Sequence, residues 1–152
     1  MSKSAPPPPA GDPFDLRRFL VAQEHVYANA LAELRAGYKR THWMWYVFPQ
    51  LDGLGRSAMA IRFAISGPAE AQAYLAHPAL GPRLRECAAA LLAIEGRSAR
   101  DIMGPIDDMK LRSSATLFSL VAEPGSVFAR LIERYFEAGP DGRTLQLLRD
   151  RR

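Results

Sequence analysis

The stretch THWMWYVFPQLDGLGRSA, residues 41–58, decides the fold because it places apolar side chains on both sides of the backbone. It contains both tryptophans of the chain, Trp43 and Trp45. In an extended segment the two indoles would share one face and the other apolar side chains the opposite face. In a helix the two indoles would diverge by about 200°. Either conformation predicts that residues 43–48 form a buried segment that connects elements through the middle of the domain.

The second half of this stretch, PQLDGLGRS, leads into the next predicted helix. The first backbone N–H groups of that helix, together with Arg56 and Ser57, predict an anion-binding site. The alternative is structural, with Gly53 and Gly55 supplying positive-φ turns and Ser57 acting as the N-cap. The spacing matches neither a GxGxxG fingerprint nor a P-loop, so the motif alone does not decide between the two.

Helical segments punctuated by glycine and proline fill the rest of the chain. Gly37 is predicted to end a helix, Pro68 to begin one, and Ser98 and Asp101 to form a capping box. In residues 57–65 large apolar side chains occupy alternate positions, as in a strand, but the alanines between them favour a buried helix. We expect an all-α fold, a compact single domain of about six to eight short helices with a buried Trp-rich connecting segment.

The amino terminus differs in composition from the remainder. Residues 1–11 are rich in proline and predict a disordered tail. The folded domain is predicted over 12–152, with Asp12 as an N-cap and Pro13 at the first helical position. Whether the two apolar runs that follow form one bent helix or two is open.

Composition limits the classes of function. The chain has 152 residues, of which 48% are hydrophobic and 24% charged, so a single domain with a real core is expected. One cysteine permits no internal disulfide, and three separated histidines predict no metal site and no cofactor. No apolar run is long enough for a membrane span, so the cytoplasm is the predicted location. The net charge of +4 is spread along the chain, which does not favour dedicated nucleic-acid binding.

A second polar cluster occurs in GPIDDMKLRSS, residues 104–114. Asp107 and Lys110 are three residues apart and can pair on one helix face, and Ser113 and Ser114 extend that strip. One interpretation is a substrate clamp with Lys110 on an anionic group and Asp107 as a base; the other is a helix cap paired at the surface. The role of His42 is open in the same way: it is either a general acid or base, or a structural, partly buried histidine.

Three segments together resemble a known family: LRAGYKRTHWMWYVFPQLDGLGRSAMAIRFAI, EAQAYLAHPALGPRLREC and IMGPIDDMKLRSSATLF. They are similar to an uncharacterised bacterial and fungal domain family, a domain of unknown function often labelled calpastatin in automatic annotation. The resemblance covers residues 13–148 and implies a mainly helical fold with no established activity. The calpastatin label does not fit, because calpastatin repeats are disordered whereas this chain predicts a core.

These features predict a pocket for a small anionic, nucleotide-like ligand, with an aromatic stacking face, cations and orienting polar groups. The alternatives are a non-enzymatic protein-interaction module anchored on the Trp-rich segment, and an N-glycosidic or ADP-ribose-processing hydrolase. The hydrolase alternative rests on a faint similarity of helical layout, with Glu24 or Asp107 as its acid. The predicted ligand-binding residues are Lys39, Trp43, Trp45, Gln50, Gly53, Gly55, Arg56, Ser57, Lys110, Ser113 and Ser114, and the candidate catalytic residues are Asp107 and His42.

Overall fold

The computed structural model describes residues 11–151, which form ten helices joined by short loops. The helices are α1 Arg17–Gln23, α2 Tyr27–Arg35, α3 Met44–Val47, α4 Ala58–Arg62, α5 Pro68–Ala76, α6 Leu80–Leu92, α7 Ala99–Met103, α8 Asp107–Val121, α9 Val127–Tyr135 and α10 Gly142–Asp150. Strand-like pairing over these residues is limited to one parallel bridge between Leu51 and Ile65. The predicted all-α class is therefore confirmed. The predicted tail of residues 1–11 lies, except for Gly11, outside the described residues.

The helices are more numerous than the six to eight expected. The two apolar runs near the amino terminus form separate helices, α1 and α2. Three further helices have only four or five residues: α3 in the Trp-rich segment, α4 and α7. Over residues 11–151 no helix is both long and apolar enough to cross a bilayer.

The start of α1 differs from the prediction, since the helix begins at Arg17 and not at Pro13. Residues between them turn, with Asp15 at a φ of 53°. The Asp12 carboxylate accepts hydrogen bonds from the backbone N–H groups of Leu16 at 2.8 Å and of Arg17 at 3.0 Å. Asp12 thus satisfies the first donors of α1 from one turn further away than an N-cap would.

Other local signals fold as the sequence predicts. Ser98 and Asp101 form the capping box of α7, each side chain accepting from the backbone of the other. Pro68 is the first residue of α5, and Gly37 follows α2 with a φ of 78°. These signals depend on neighbours within a few residues, which is why sequence alone contains them.

The predicted buried helix over residues 57–65 is only partly correct. Helix α4 forms there but buries none of its own residues, and Ile61 is exposed. The buried side chains are Phe63 and Ile65, which come after the helix ends. Ile65 leaves the helix because its backbone pairs with Gln50 and Asp52 across the loop.

A series of aromatic side chains in contact runs through the core and links α3, α1, α5, α8 and α9. Ring centroids are 5.3 Å apart for Tyr46 and Phe63, 5.6 Å for Phe63 and Phe19, and 5.1 Å for Phe19 and Tyr74. From Tyr74 the series continues to Phe118 on α8 at 5.4 Å, and then to α9. Helix α8 lies at the centre and packs against α5, α7, α9 and α10. Near the amino terminus of α8, the Lys110 ammonium lies 5.4 Å from the ring centroid of Trp45 in the Trp-rich segment.

Candidate functional site

Two adjacent concavities lie where α8 meets the loops around α3 and α4. The first, which we name the Trp45 pocket, has a volume of about 310 Å³. The second, which we name the basic groove, has a volume of about 420 Å³. Ile106 and Lys110 line both, so the two concavities share a wall. The Trp45 pocket is lined by Lys39, His42, Met44, Trp45, Met103, Gly104, Pro105, Ile106, Asp107 and Lys110, and the basic groove by Gln50, Leu54, Gly55, Arg56, Ser57, Ala60, Ile106, Met109, Lys110, Ser113, Asp141 and Arg143.

The predicted site residues divide between these concavities. Those in the Trp45 pocket are Lys39, His42, Trp45, Asp107 and Lys110. Those in the basic groove are Gln50, Gly55, Arg56, Ser57, Ser113 and again Lys110. Three predicted residues, Trp43, Gly53 and Ser114, line neither. The residues that the sequence predicts to form one site therefore lie in two neighbouring concavities.

The two tryptophans have different environments. Trp43 is 0% exposed, and its Nε1 donates to Glu33 Oε1 at 3.1 Å. Trp45 is half-buried and forms one wall of its pocket. Trp43 consequently belongs to the core and offers no stacking face, whereas Trp45 keeps an accessible ring.

The glycine-rich loop is shaped mainly by packing. Gly53 has the predicted positive φ of 101°, but Gly55 does not have a positive φ. Glycine is required at position 55 for a steric reason, since a Cβ there would lie 2.5 Å from the Cβ of Ala60. Ser57 is the N-cap of α4 and accepts from the backbone N–H of Ala60 at 3.1 Å. Helix α4 has five residues, so its dipole adds little to an anion site at this end.

Charge in the Trp45 pocket is organised around the Asp107 carboxylate. Lys39 Nζ lies 2.8 Å from Asp107 Oδ2, and Lys110 Nζ lies 3.6 Å from Oδ1. The pairing of Asp107 with Lys110 follows the predicted spacing, while Lys39 joins from a distant loop. The Lys39 side chain is 5% exposed and donates to the Thr41 carbonyl at 2.6 Å. Lys110 is 27% exposed, and its ammonium lies 5.4 Å from the centroid of the Trp45 ring.

Glu33 positions the loop that carries Lys39 and His42, and sequence reasoning missed it. Its Oε1 accepts from the backbone N–H groups of Arg40 at 2.6 Å and Thr41 at 2.9 Å, besides the Trp43 indole. Its Oε2 accepts from Thr41 Oγ1 and Asn29 Nδ2, both at 2.6 Å. Burial opposes the charged carboxylate, but these donors outweigh burial and lower its pKa to about 2. The only feature of the sequence that could have indicated this role is a glutamate on the inner face of α2.

The two serines of α8 do not extend the strip made by Asp107 and Lys110. Ser113 Oγ donates to the Met109 carbonyl and lies 3.2 Å from Asp141 Oδ2, at the far side of the basic groove. Ser114 Oγ is buried and has no hydrogen-bond partner among residues 11–151. Ser113 therefore helps to hold the loop before α10, and Ser114 contacts neither concavity.

His42 lies at the rim of the Trp45 pocket with an exposed ring. Its side chain has no hydrogen bond to another described residue, so no neighbouring group orients it as a general base or acid would be oriented. Within residues 11–151 no group of three or more His, Cys, Asp or Glu side chains is arranged to hold a metal ion.

The chain is similar to proteins whose function is not established. A family model described as a protein of unknown function, DUF1810, matches residues 13–148. The crystal structure of the conserved hypothetical protein Rv1873 from Mycobacterium tuberculosis is 53% identical, with a TM-score of 0.89. That similarity covers 91% of this chain and 99% of the Mycobacterium chain. No curated protein matches the chain.

Proposed function

The chain belongs to the DUF1810 family of proteins of unknown function, and we propose that it binds a small anionic, nucleotide-like ligand in the Trp45 pocket. The observation that carries the proposal is the position of the Lys110 ammonium over the half-buried Trp45 ring, inside a concavity of about 310 Å³. A cation and an aromatic face in one pocket recognise an anion attached to a planar ring. The volume is at the lower end of the range of small-molecule sites, about 300 to 1,000 Å³.

The two lysines that contact Asp107, Lys39 and Lys110, have different electrostatic roles. Lys39 holds the shorter contact, is nearly buried and is fixed by the Thr41 carbonyl, so it neutralises the carboxylate in place. Lys110 holds the longer contact of 3.6 Å and reaches solvent. An anionic ligand can draw Lys110 away while Asp107 keeps one partner. The pocket then presents a net positive charge to the ligand without leaving a carboxylate unpaired.

The proposal is one of binding, and neither alternative function is favoured. A hydrolase acid needs a free carboxyl group, but both oxygens of Asp107 face lysines, and Glu24 lies at the exposed end of α1. An interaction module anchored on the Trp-rich segment would have only the Trp45 ring to offer a partner, because Trp43 is fully buried.

Thermal denaturation of the full chain with AMP, ATP, ADP-ribose, adenosine and inorganic phosphate tests the proposal. At about 100 times its Kd a ligand adds about 2.7 kcal/mol of stability, which raises the Tm of a domain this size by about 5 to 10 °C. A compound with both a ring and phosphate should shift the Tm most, and adenosine or phosphate alone should shift it less.

Lys110→Ala should weaken binding about tenfold or more, because a hydrogen bond to a charged group contributes about 1.5 to 3 kcal/mol. The matched control is Arg130→Ala, which removes one positive charge from an exposed position on α9. Equal shifts in the wild type and in Lys110→Ala, or no shift with any nucleotide, would overturn the proposal.

A further inference from the structure

The basic groove has a surface chemistry that the proposed ligand site does not explain. Ile106 and Met109 are 69% and 68% exposed, the two highest values among the large apolar side chains of the described residues. Both line this groove. Exposed apolar side chains that lie next to each other mark an interaction site more often than isolated ones do. A small ligand in the Trp45 pocket, which Ile106 also lines, would still leave Met109 in water.

Cations from three different elements line the groove together with Ile106 and Met109. Arg56 precedes α4, Lys110 lies on α8 and Arg143 lies in the first turn of α10. Among residues 11–151, neither Arg56 nor Arg143 has an acidic side chain within ion-pair distance, and neither guanidinium donates a hydrogen bond. The groove therefore holds positive charge that the fold itself does not use.

The one carboxylate among the residues that line the groove is that of Asp141, and it already accepts hydrogen bonds from its neighbours. Asp141 Oδ2 accepts from the Thr144 backbone N–H at 3.0 Å and from Thr144 Oγ1 at 2.6 Å, and it lies 3.2 Å from Ser113 Oγ. Its role is to cap α10, and it does not neutralise the arginines. The complement of this surface is a chain segment with several negative charges around a large apolar side chain.

We propose that the basic groove docks an acidic peptide segment of a partner protein, with an apolar side chain of that segment against Ile106 and Met109. Methionine adapts its shape to different apolar partners, which suits such a contact. A concave groove lined by cations from three elements can enclose a peptide segment, whereas a flat bilayer would not follow its concave surface. This proposal does not rest on the small-ligand site, and its test leaves Lys110 unchanged so that the two proposals fail separately.

Selection of random peptides displayed on phage against the immobilised full chain provides the test. Enriched peptides should carry net negative charge and at least one Leu, Ile, Phe or Met. Binding of a labelled, enriched peptide, followed by fluorescence anisotropy, should weaken as salt is raised and fall about tenfold or more in Arg56→Glu/Arg143→Glu. Met109→Ser should also weaken peptide binding, but it should change the salt dependence of that binding less than the double variant does.

The matched control is Arg130→Glu, which reverses a charge on α9 outside the groove and should leave peptide affinity unchanged. All substituted positions are exposed, and circular dichroism of each variant checks that it folds. The proposal is overturned if no acidic peptide is enriched or if enriched peptides bind the double variant as tightly as the wild type. It is also overturned if only phosphatidylserine vesicles bind in an Arg56- and Arg143-dependent way.

Discussion

Replacing Glu33 with glutamine should destabilise the protein by an amount that depends on pH. The change keeps the shape of the side chain but removes the charge, and it puts an N–H donor where one acceptor oxygen stood. Five donors from four residues converge on this carboxylate. A glutamine can accept only some of them, so at least one donor beneath the loop loses its partner.

The magnitude follows from the pKa of Glu33, which is lowered from 4.5 to about 2. A difference of one pKa unit corresponds to about 1.36 kcal/mol, so the charged carboxylate contributes about 3 kcal/mol near neutral pH. Because the folded-state pKa is the lower one, this contribution is fully present above pH 4.5 and is lost as the pH falls towards 2. At still lower pH a protonated Glu33 resembles glutamine, and the two proteins should converge.

Urea denaturation of the wild type and Glu33→Gln between pH 7 and pH 2.5 measures this difference. Other carboxylates titrate in both proteins and cancel when the free energies of unfolding are subtracted. Glu95→Gln is the control, since Glu95 is exposed and has no hydrogen bond or ion pair to another described residue. A loss below about 0.5 kcal/mol at pH 7, or a difference that stays constant down to pH 3, would refute the argument.

Three further predictions concern stability and reactivity. Gly81→Ala should cost about 2 kcal/mol in urea denaturation because its Cβ would lie 2.0 Å from the Leu75 carbonyl oxygen, whereas Gly142→Ala, with open space around it, should be neutral or slightly stabilising. Arg18→Ala should cost about 3 to 5 kcal/mol, since it leaves the buried Glu70 carboxylate, now 2.7 Å from the guanidinium, without its partner; a loss below 1 kcal/mol would contradict this. Burial raises the pKa of Cys87 to about 12, so the thiol should react with a disulfide reagent at pH 8 only as fast as the protein unfolds, and rapid labelling of the folded chain would be inconsistent with the structure.

The local features of the fold could be predicted because their causes lie within one turn of helix. The Ser98–Asp101 capping box and the Ser57 cap each join residues three apart. Asp12 shows the limit of this reasoning. Its carboxylate does satisfy the start of α1, but a turn at Asp15 places that start four residues later than the sequence pattern suggests.

The candidate site could be predicted only in part, since its geometry depends on contacts between distant segments. The structure brings Trp45, Asp107 and Lys110 to one pocket, where the Lys110 ammonium on α8 lies 5.4 Å from the centroid of the Trp45 ring. The Lys39–Asp107 pair joins a loop to a helix 68 positions later, and nothing in either segment indicates it. Likewise, the burial of Trp43 depends on Glu33, whose function is visible only when α2 and the following loop are seen together.

The wall shared by the two concavities has a thermodynamic consequence. Lys110 lines both concavities but has one ammonium group, so two bound ligands would share it. A ligand that captures it on one side must therefore change the affinity on the other side. By linkage the effect is reciprocal, of equal size whichever partner binds first. If both proposed ligands bind, the occupancy of one concavity therefore alters the affinity of the other through a single side chain on α8.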